Sequence, residues 1–455
     1  MGEKLFVGYS RVDITPEQYT NLGGTGQDAK RMCDKVLERI YATCVAISDA
    51  QGNTILYCPV DLIHARRWFS DPVREAISQA TGVPVSNIMI NASHNHSGPS
   101  TSSPQLETVQ IWGEYLIKQL IKCALEAMTD RKEAEILAGQ RQVPGMTFVR
   151  HYHMNDGTVA GPNSGSFASG VKSHITEADN QLQVIRFTRK DARDVVLVNW
   201  QCHATTGSGM DTFALQGDYI YSLRNHLEGL TGTHFAFFQG AAGNLVPNTR
   251  LPEEATYVMK DGEEIAVGKD TKLYGRALAE HVAACLQENM VPLSGGPVGA
   301  VSRMYVGAVD HSDDHLAQQA EDTLERYQQY PLSEKKEANR MMRESGFNSF
   351  LHAMGIARRA KLGDTLSMEL WALCAGDIGF ISAPYEMFCS SGKYIKEHSP
   401  FKMTFVVSCS NESYDYMADD TTFQYDVYEV NTRRYGRGTA EQLAQNFVEM
   451  LTELQ

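Results

Sequence analysis

The sequence predicts an α/β fold: a mixed, mostly parallel β-sheet core flanked by helices, with the active site at the strand carboxyl ends. Three observations predict it. Short, uniformly apolar runs read as buried strands and alternate with helical segments along the chain. The helical segments carry apolar residues at i, i+4 spacing, the stripe of a helix that packs on a core. Polar residues able to do chemistry follow directly after the strand runs, where open α/β sheets gather their ligands.

Taken in order, "NTILYCPVDLI" (Asn53–Ile63) is predicted as a buried strand. Asp71 and Pro72 then supply an N-cap and a first-position proline for a helix through "DPVREAISQATG". "NIMINA" (Asn87–Ala92) is the next strand. Trp112, Leu116, Leu120, Ala124 and Met128 recur at i, i+4 and predict a long helix over 107–129, with that stripe as core packing. Further strands are "VVLVNW" (Val195–Trp200), "HFAFFQ" (His234–Gln239), "DIGFIS" (Asp377–Ser382) and "MTFVVS" (Met403–Ser408). The segment 311–362 is polar and helical in pattern, and its charges read as a solvated face. No Pro/Gly/Ser-rich linker cuts the chain, so residues 1–455 are expected to form one domain with 311–362 as an insertion or lid.

Composition excludes several classes of function. A net charge of −14 opposes nucleic-acid binding and attraction to an anionic membrane surface. No apolar run approaches the ~18 residues of a membrane span, so no stable membrane insertion is expected. The N-terminus lacks the basic and apolar regions of a secretory signal. Nine cysteines, an odd number with no C-x-x-C pair, suit buried free thiols and a cytoplasmic location. The expected partner is a small-molecule substrate. The 311–362 segment either shapes a pocket or forms a homo-oligomer interface.

The strand ends carry the candidate site. "NIMINA" leads into "SHNHSGP", where His94 and His96 alternate and therefore point to one side of an extended backbone. "VVLVNW" leads to His203 in "QCHATTGSG", and "HFAFFQ" to the Gly-rich "GAAGNLVPN". "DIGFIS" leads to Glu386 in "APYEMF", and "MTFVVS" to Tyr414 and Tyr416. Each has a plain reading: a satisfied core histidine at His203, a helix N-terminal carboxylate at Glu386, a simple turn at "GAAGN". Together, His, His and Glu are the ligand set of a catalytic zinc, which acidifies water and polarises a carbonyl.

With these residues assembled, the chain resembles the neutral (non-lysosomal) ceramidase family, in particular its shorter relatives that consist of the catalytic domain alone. "GYSRVDITP" (Gly8–Pro16) is similar to the family's Asp-Ile-Thr-Pro motif, and "NASHNHSGPS" to its Ser-His-Thr-His motif. "NWQCHATTGSG" resembles its second histidine loop, "GAAGNLVPN" its Gly-rich loop, and "SAPYEMF" its Pro-Gly-Glu-Phe segment. "NESYDYMADDTTFQYDVYEV" resembles its tyrosine-rich stretch, which ends in Tyr-Glu. The resemblance implies zinc-dependent amide hydrolysis by metal-activated water. Carried over residue by residue, it implies that His94, His203, Glu386 and Tyr416 ligate Zn2+. It makes His96 and Tyr428 donors to the substrate or the oxyanion, and Arg150 a substrate-positioning arginine. Asp61 and Asp218 are candidates for orienting the zinc-bound histidines, or else helix caps. Gly240, Gly243 and Asn244 belong to a loop that could form a backbone anion nest.

Two departures bear on the substrate. His151 and His153 stand where many short relatives carry arginine, and Val246 stands where ceramidases have a serine once considered as a nucleophile. A valine cannot attack, which leaves either activated water or an inactive relative. No room is seen for the C-terminal β-sandwich domain that ceramidases usually carry. The expected function is therefore cleavage of an amide (N-acyl) bond in a small soluble substrate. The alternatives are ester or lactone hydrolysis on the same zinc site, true ceramide hydrolysis, and a non-catalytic metal-binding relative.

Overall fold

The computed structural model describes residues 4–24, 28–161, 170–207, 213–248, 257–260, 263–266 and 271–455. Ser208 and Gly209, the end of the second histidine loop, lie outside them. The larger sheet has nine strands: β1 (Leu5–Asp13), β2 (Tyr41–Ser48), β3 (Thr54–Val60), β4 (Ile88–Ala92), β5 (Lys132–Gln142), β6 (Gln181–Arg189), β7 (Val195–Trp200), β8 (His234–Gln239) and β9 (Val291–Leu293). Their order is β8-β7-β6-β5-β1-β2-β3-β4, with β9 added beside β5. A four-stranded sheet follows, in the order β10 (Val298–Ala308), β11 (Thr365–Ala375), β12 (Ile378–Ser382), β13 (Met403–Val407).

The two sheets stack face to face. Tyr57, Phe187, Leu197 and Phe238 from the larger sheet pack with Trp371, Phe380 and Phe405 from the smaller in one buried cluster. Each such side chain withdrawn from water stabilises by about 1.5–3 kcal/mol. Polar links also cross this layer: Tyr57 Oη with Ser382 Oγ at 2.9 Å, and Asn199 Nδ2 donating to the Val406 carbonyl at 3.0 Å. Helices cover the outer faces. α1 (Arg67–Thr81) and α2 (Glu107–Thr129) pack on one half of the larger sheet. α3 (Asp218–Thr231) and α4 (Thr271–Glu288) pack on the other half. Between β10 and β11 run α5 (Ala317–Gln328), α6 (Lys335–Glu344) and α7 (Phe350–Arg359), around a small core of their own with Tyr327, Met342, Phe347 and Ile356. α8 (Cys389–His398) and α10 (Thr439–Glu453) cover the outer face of the smaller sheet, and the short α9 (Tyr428–Asn431) precedes α10.

The mixed α/β architecture is as predicted, but the sheets are mostly antiparallel, not mostly parallel. Among the described residues, only β3 with β4, β7 with β8 and β12 with β13 run parallel in the two main sheets. The reason lies in the sequence. The six strands recognised from apolar runs are the six members of those three pairs, buried throughout except for the half-buried His234 that opens β8. Antiparallel strands escape a search for continuous apolar runs: β5 mixes buried with accessible residues, and β10 is half-buried or exposed over most of its length.

Each parallel pair is closed by a crossover helix, α1, α3 or α8, because parallel neighbours cannot be joined by a tight hairpin. The carboxyl ends of these pairs carry the candidate residues. The helix over 107–129 lies where the apolar stripe put it. The helix expected to open at Asp71 begins a turn earlier, at Arg67, with Pro72 inside it. Phe69 N–H and Ser70 N–H bond the Arg66 carbonyl, so the first turn forms without a side-chain cap.

Candidate functional site

The chain leaves β4 and turns sharply: His94 takes a left-handed backbone conformation, φ 60°, uncommon for a residue with a Cβ. Asn95 fixes this turn by donating its side-chain amide to the Asp61 and Gln216 carbonyls. His94 Nδ1 then donates to the Ile63 carbonyl at 3.0 Å, and His96 Nδ1 to the Gly24 carbonyl at 2.8 Å. Past β7, His203 Nδ1 faces the Ala242 and Leu245 carbonyls at 2.7 and 2.9 Å. Past β12, Glu386 and Met387 pair in parallel with Tyr416 and Met417 past β13. Gly243 packs against that segment so closely that a Cβ there would lie 2.6 Å from the Glu386 carbonyl oxygen.

A carbonyl oxygen can only accept, so each of the three histidines carries its proton on Nδ1. Their bare Nε2 atoms face one another and a carboxylate. His94 Nε2 lies 3.1 Å from His96 Nε2 and 3.1 Å from Glu386 Oε2, and His203 Nε2 is 3.2 Å from the same oxygen. Glu386 Oε2 is buried with no hydrogen-bond partner. Four potential acceptors converge, and lone pairs at such distances repel unless a cation or a proton sits among them; Arg150 Nη1 and Tyr416 Oη reach His203 Nε2 at 3.5 and 3.4 Å. Burial and the surrounding groups set the balance. Burial, then Arg150, pushes His203 down to about 4, and burial with the neighbouring His94 and His203 holds His96 well below the ordinary range. Burial also opposes charge on His94, but the Glu386 carboxylate overrides it and raises His94. Burial opposes the Glu386 charge too, and His94 and His203 hold the carboxylate well below its usual range.

The donor set fits a divalent cation. Metal-ligating atoms of His94, His96 and His203 lie within 4.8 Å of one another, and so do those of His64, His94 and Glu386. Imidazoles tied by Nδ1 to carbonyls leave Nε2 to ligate, and with a carboxylate they form a donor set that suits zinc. Tyr416 Oη is 3.4 Å from His203 Nε2, so it can join the same cluster. Tyr428 packs edge-on against Tyr416, with ring centroids 5.3 Å apart.

Arg150 lies behind the two tyrosines rather than in the cavity. Its guanidinium sits over the Tyr416 and Tyr428 rings at 5.3 and 5.8 Å. Nη2 donates to the Gly243 carbonyl and Nε to Glu429 at 2.5 Å. Glu429 is fully buried, and its second oxygen meets His151 Nε2 at 2.7 Å. Nη1 reaches His203 Nε2 at 3.5 Å, so in this structure the Arg150 contacts are with the tyrosine pair, Glu429, the Gly243 carbonyl and His203.

Three expectations change. Asp61 does not orient a histidine: its carboxylate is engaged by Arg224 at 2.7 Å and by Tyr41 N–H at 2.9 Å. Asp218 is the first residue of α3 and accepts from Thr206, Gly207 and Tyr219. Backbone carbonyls orient the histidines instead, a role with no sequence signature. In the Gly-rich loop, Gly240 N–H bonds the Trp200 carbonyl and Gly243 N–H the Met387 carbonyl, so neither glycine offers its N–H to an anion. Asn244 caps the start of α8 through Cys389 N–H.

Two residues went unrecognised in the sequence. His64 directly follows the predicted strand Asn53–Ile63, three residues past Asp61, and its Nε2 is 3.8 Å from Glu386 Oε1. Burial and Arg66 push it down to about 4, and neither ring nitrogen has a hydrogen-bond partner. Glu429 was visible only as part of a Tyr-Glu match. His64, His94, His96, Glu386, Tyr416 and Tyr428 line a cavity of about 670 Å³, within the range of small-molecule sites.

Solved structures of the same architecture exist. A neutral ceramidase from Pseudomonas aeruginosa superposes on all of this chain, covering 75% of its own length, with TM-score 0.70 and 18% identity. The chain has the neutral ceramidase fold. A second structure, a ceramidase complexed with C2, matches 99% of the chain and 75% of its own, with TM-score 0.69 and 17% identity. No protein-family model and no curated protein matches the sequence. Among the described residues, no helix is long and apolar enough to cross a membrane.

Proposed function

We propose that this protein is a zinc-dependent hydrolase that cleaves an amide bond of a small substrate. The observation that carries the reading is the convergence of the His94 and His203 Nε2 atoms on one buried Glu386 oxygen in the cavity, with His96 Nε2 3.1 Å from His94 Nε2. His94, His203, Glu386 and Tyr416 are the residues to hold the ion. Bound there, zinc supplies Lewis acidity, acidifying water and polarising the scissile carbonyl.

The chain's own groups do the rest. His96 lines the cavity with a bare Nε2, so it acts as an acceptor. This replaces the oxyanion-donor role expected from the sequence. It takes the proton from the attacking water as the O–C bond forms, then returns it to the departing amine as the C–N bond breaks. Tyr428 Oη is the donor to the oxyanion. Burial keeps this phenol protonated, raising it above its ordinary range. The ceramidase fold supports an amide as the bond cleaved. The nine cysteines, all buried and unpaired, support a reducing compartment.

The test is elemental analysis of purified wild type beside Glu386→Ala. About one zinc per chain in the wild type and much less in the variant is expected. No metal in the wild type after zinc is added back would overturn the mechanism. Turnover of esters but not amides would move the reading to the other bond.

A further inference from the structure

The floor of the cavity lacks protons, while its mouth has an excess of them. The chain is strongly acidic at −14, yet arginines dominate the charged residues around the mouth. Most are committed elsewhere. Arg359 and Arg433 are tied to Asp313, with Asp310 also on Arg433. Arg434 pairs with Asp415 at 2.7 Å, and Lys361 with Glu321 at 2.6 Å. Asp28, the remaining acid of the rim, is pushed up by burial and so weakened as a negative charge.

Three guanidiniums are left: Arg66, Arg67 and Arg358. Arg66 and Arg67 share one carboxylate, Glu412, at 3.2 and 3.8 Å. The exposed Arg358 guanidinium makes no hydrogen bond and no ion pair among the described residues, and its side chain lines the cavity. Its placement is built in. α7 docks on α9 at Gly355, where a Cβ would lie 2.8 Å from the Asn431 carbonyl oxygen. The next-door Arg359 donates to the Arg433 carbonyl at 2.7 Å, which locks the end of α7 against the same loop. A guanidinium is a fork of donors; Arg66 also donates to the Ser413 carbonyl and Ser102 Oγ, but the one carboxylate paired within the cluster is Glu412, so it is short of anionic oxygens. Trp68, Leu351, Met354 and Leu362 line the same cavity and give it an apolar wall.

We propose that Arg358, with Arg66 and Arg67, binds an anionic group of the substrate, a carboxylate or a phosphate, while the apolar wall takes its acyl part. The substrate class is then an N-acylated amine that carries an anion. This rests on the amide-hydrolase reading of the floor, but its geometry belongs to the mouth and is tested by binding. It also gives the helices between β10 and β11 a role, because they carry Arg358 to the site.

The experiment is calorimetric titration of purified protein with three probes: N-hexanoylglycine, its neutral carboxamide and N-hexanoyl phosphoethanolamine. The wild type is expected to bind an anionic probe about ten- to a hundredfold more tightly than the carboxamide. The two anionic probes tell carboxylate from phosphate. In Arg358→Met the ratio should collapse toward one, and in Arg358→Lys it should be partly restored. Added salt should weaken the anionic probes selectively. Equal affinity for all three, no binding of either anion at millimolar concentration, or a preference that survives Arg358→Met would overturn the proposal. Turnover and zinc content are read on the same samples. Anion-selective binding without zinc or hydrolysis would reject the function and keep this subsite. Hydrolysis without charge preference would do the reverse.

Discussion

The two ends of the cavity have opposite deficits. At the floor, His94, His96, His203 and Glu386 present lone pairs to one another without enough protons to separate them. At the mouth, Arg66, Arg67 and Arg358 present N–H groups with one carboxylate between them. The floor is made by strand ends, with backbone carbonyls fixing each imidazole, so its geometry is rigid. The mouth is made by the start of α1 and the end of α7, with long side chains that can shift to meet a ligand. On the proposed reading this contrast divides the labour: the floor would hold the cation and carry the amide chemistry, and the mouth would select among substrates.

The largest way to break this comparison is at the floor. His94→Ala is expected to lose metal and activity together, with kcat/KM falling by about a thousandfold or more, since it removes a ligand and the partner of Glu386. His96→Ala should keep the metal and lose rate by about a hundred- to ten-thousandfold, the range of a general acid–base group. Elemental analysis and steady-state rates on both variants decide it. A His96→Ala protein without zinc would make His96 a ligand and remove it from proton transfer.

Next in size is the support behind the floor. Glu429 is fully buried between Arg150 and His151; burial opposes its charge, but those two partners hold it down to about 2. A carboxylate depressed below its unfolded value stabilises the fold above that value, and the contribution is lost as pH falls through the folded one. Glu429→Gln should therefore cost about 3–5 kcal/mol at neutral pH, because Arg150 is left buried and unpaired. The difference from wild type should shrink as pH drops below about 4.5, in denaturant titrations that compare neutral with about pH 3.5. A gap independent of pH would mean that the pair acts through shape alone.

What the sequence revealed follows the same division. The strands of the three parallel pairs were legible because they are buried almost throughout and rich in Val, Ile and Phe. Their carboxyl ends led straight to His94, His203, Glu386 and Tyr416. The antiparallel majority was not legible, since strands such as β10 mix polar and apolar residues at the sheet margin. The partners of the histidines were not legible either. Asp61 and Asp218 were natural guesses, but the acceptors are the carbonyls of Ile63, Gly24, Ala242 and Leu245, and any residue has a carbonyl. The mouth was hidden for another reason: Arg66, Arg67 and Arg358 are almost 300 positions apart in a chain with 41 basic residues. Only the fold shows which basic residues lack an acid.

The smallest expected effect sharpens the comparison from the other side. Glu412 is the one carboxylate that Arg66 and Arg67 share, and Arg66 also donates to the Ser413 carbonyl at 2.8 Å, which keeps it in place without Glu412. Glu412→Gln should leave the arginines where they are and remove their internal competitor. The affinity for N-hexanoylglycine should then rise by about two- to fivefold at low salt, the modest gain of a partly exposed charge, and fade as salt is added. Zinc content should not move, because the floor makes no use of Glu412. An unchanged affinity would mean that Arg358 alone meets the anion. A lower affinity would mean that Glu412 holds the arginines in their binding geometry, and the mouth would then be as preorganised as the floor.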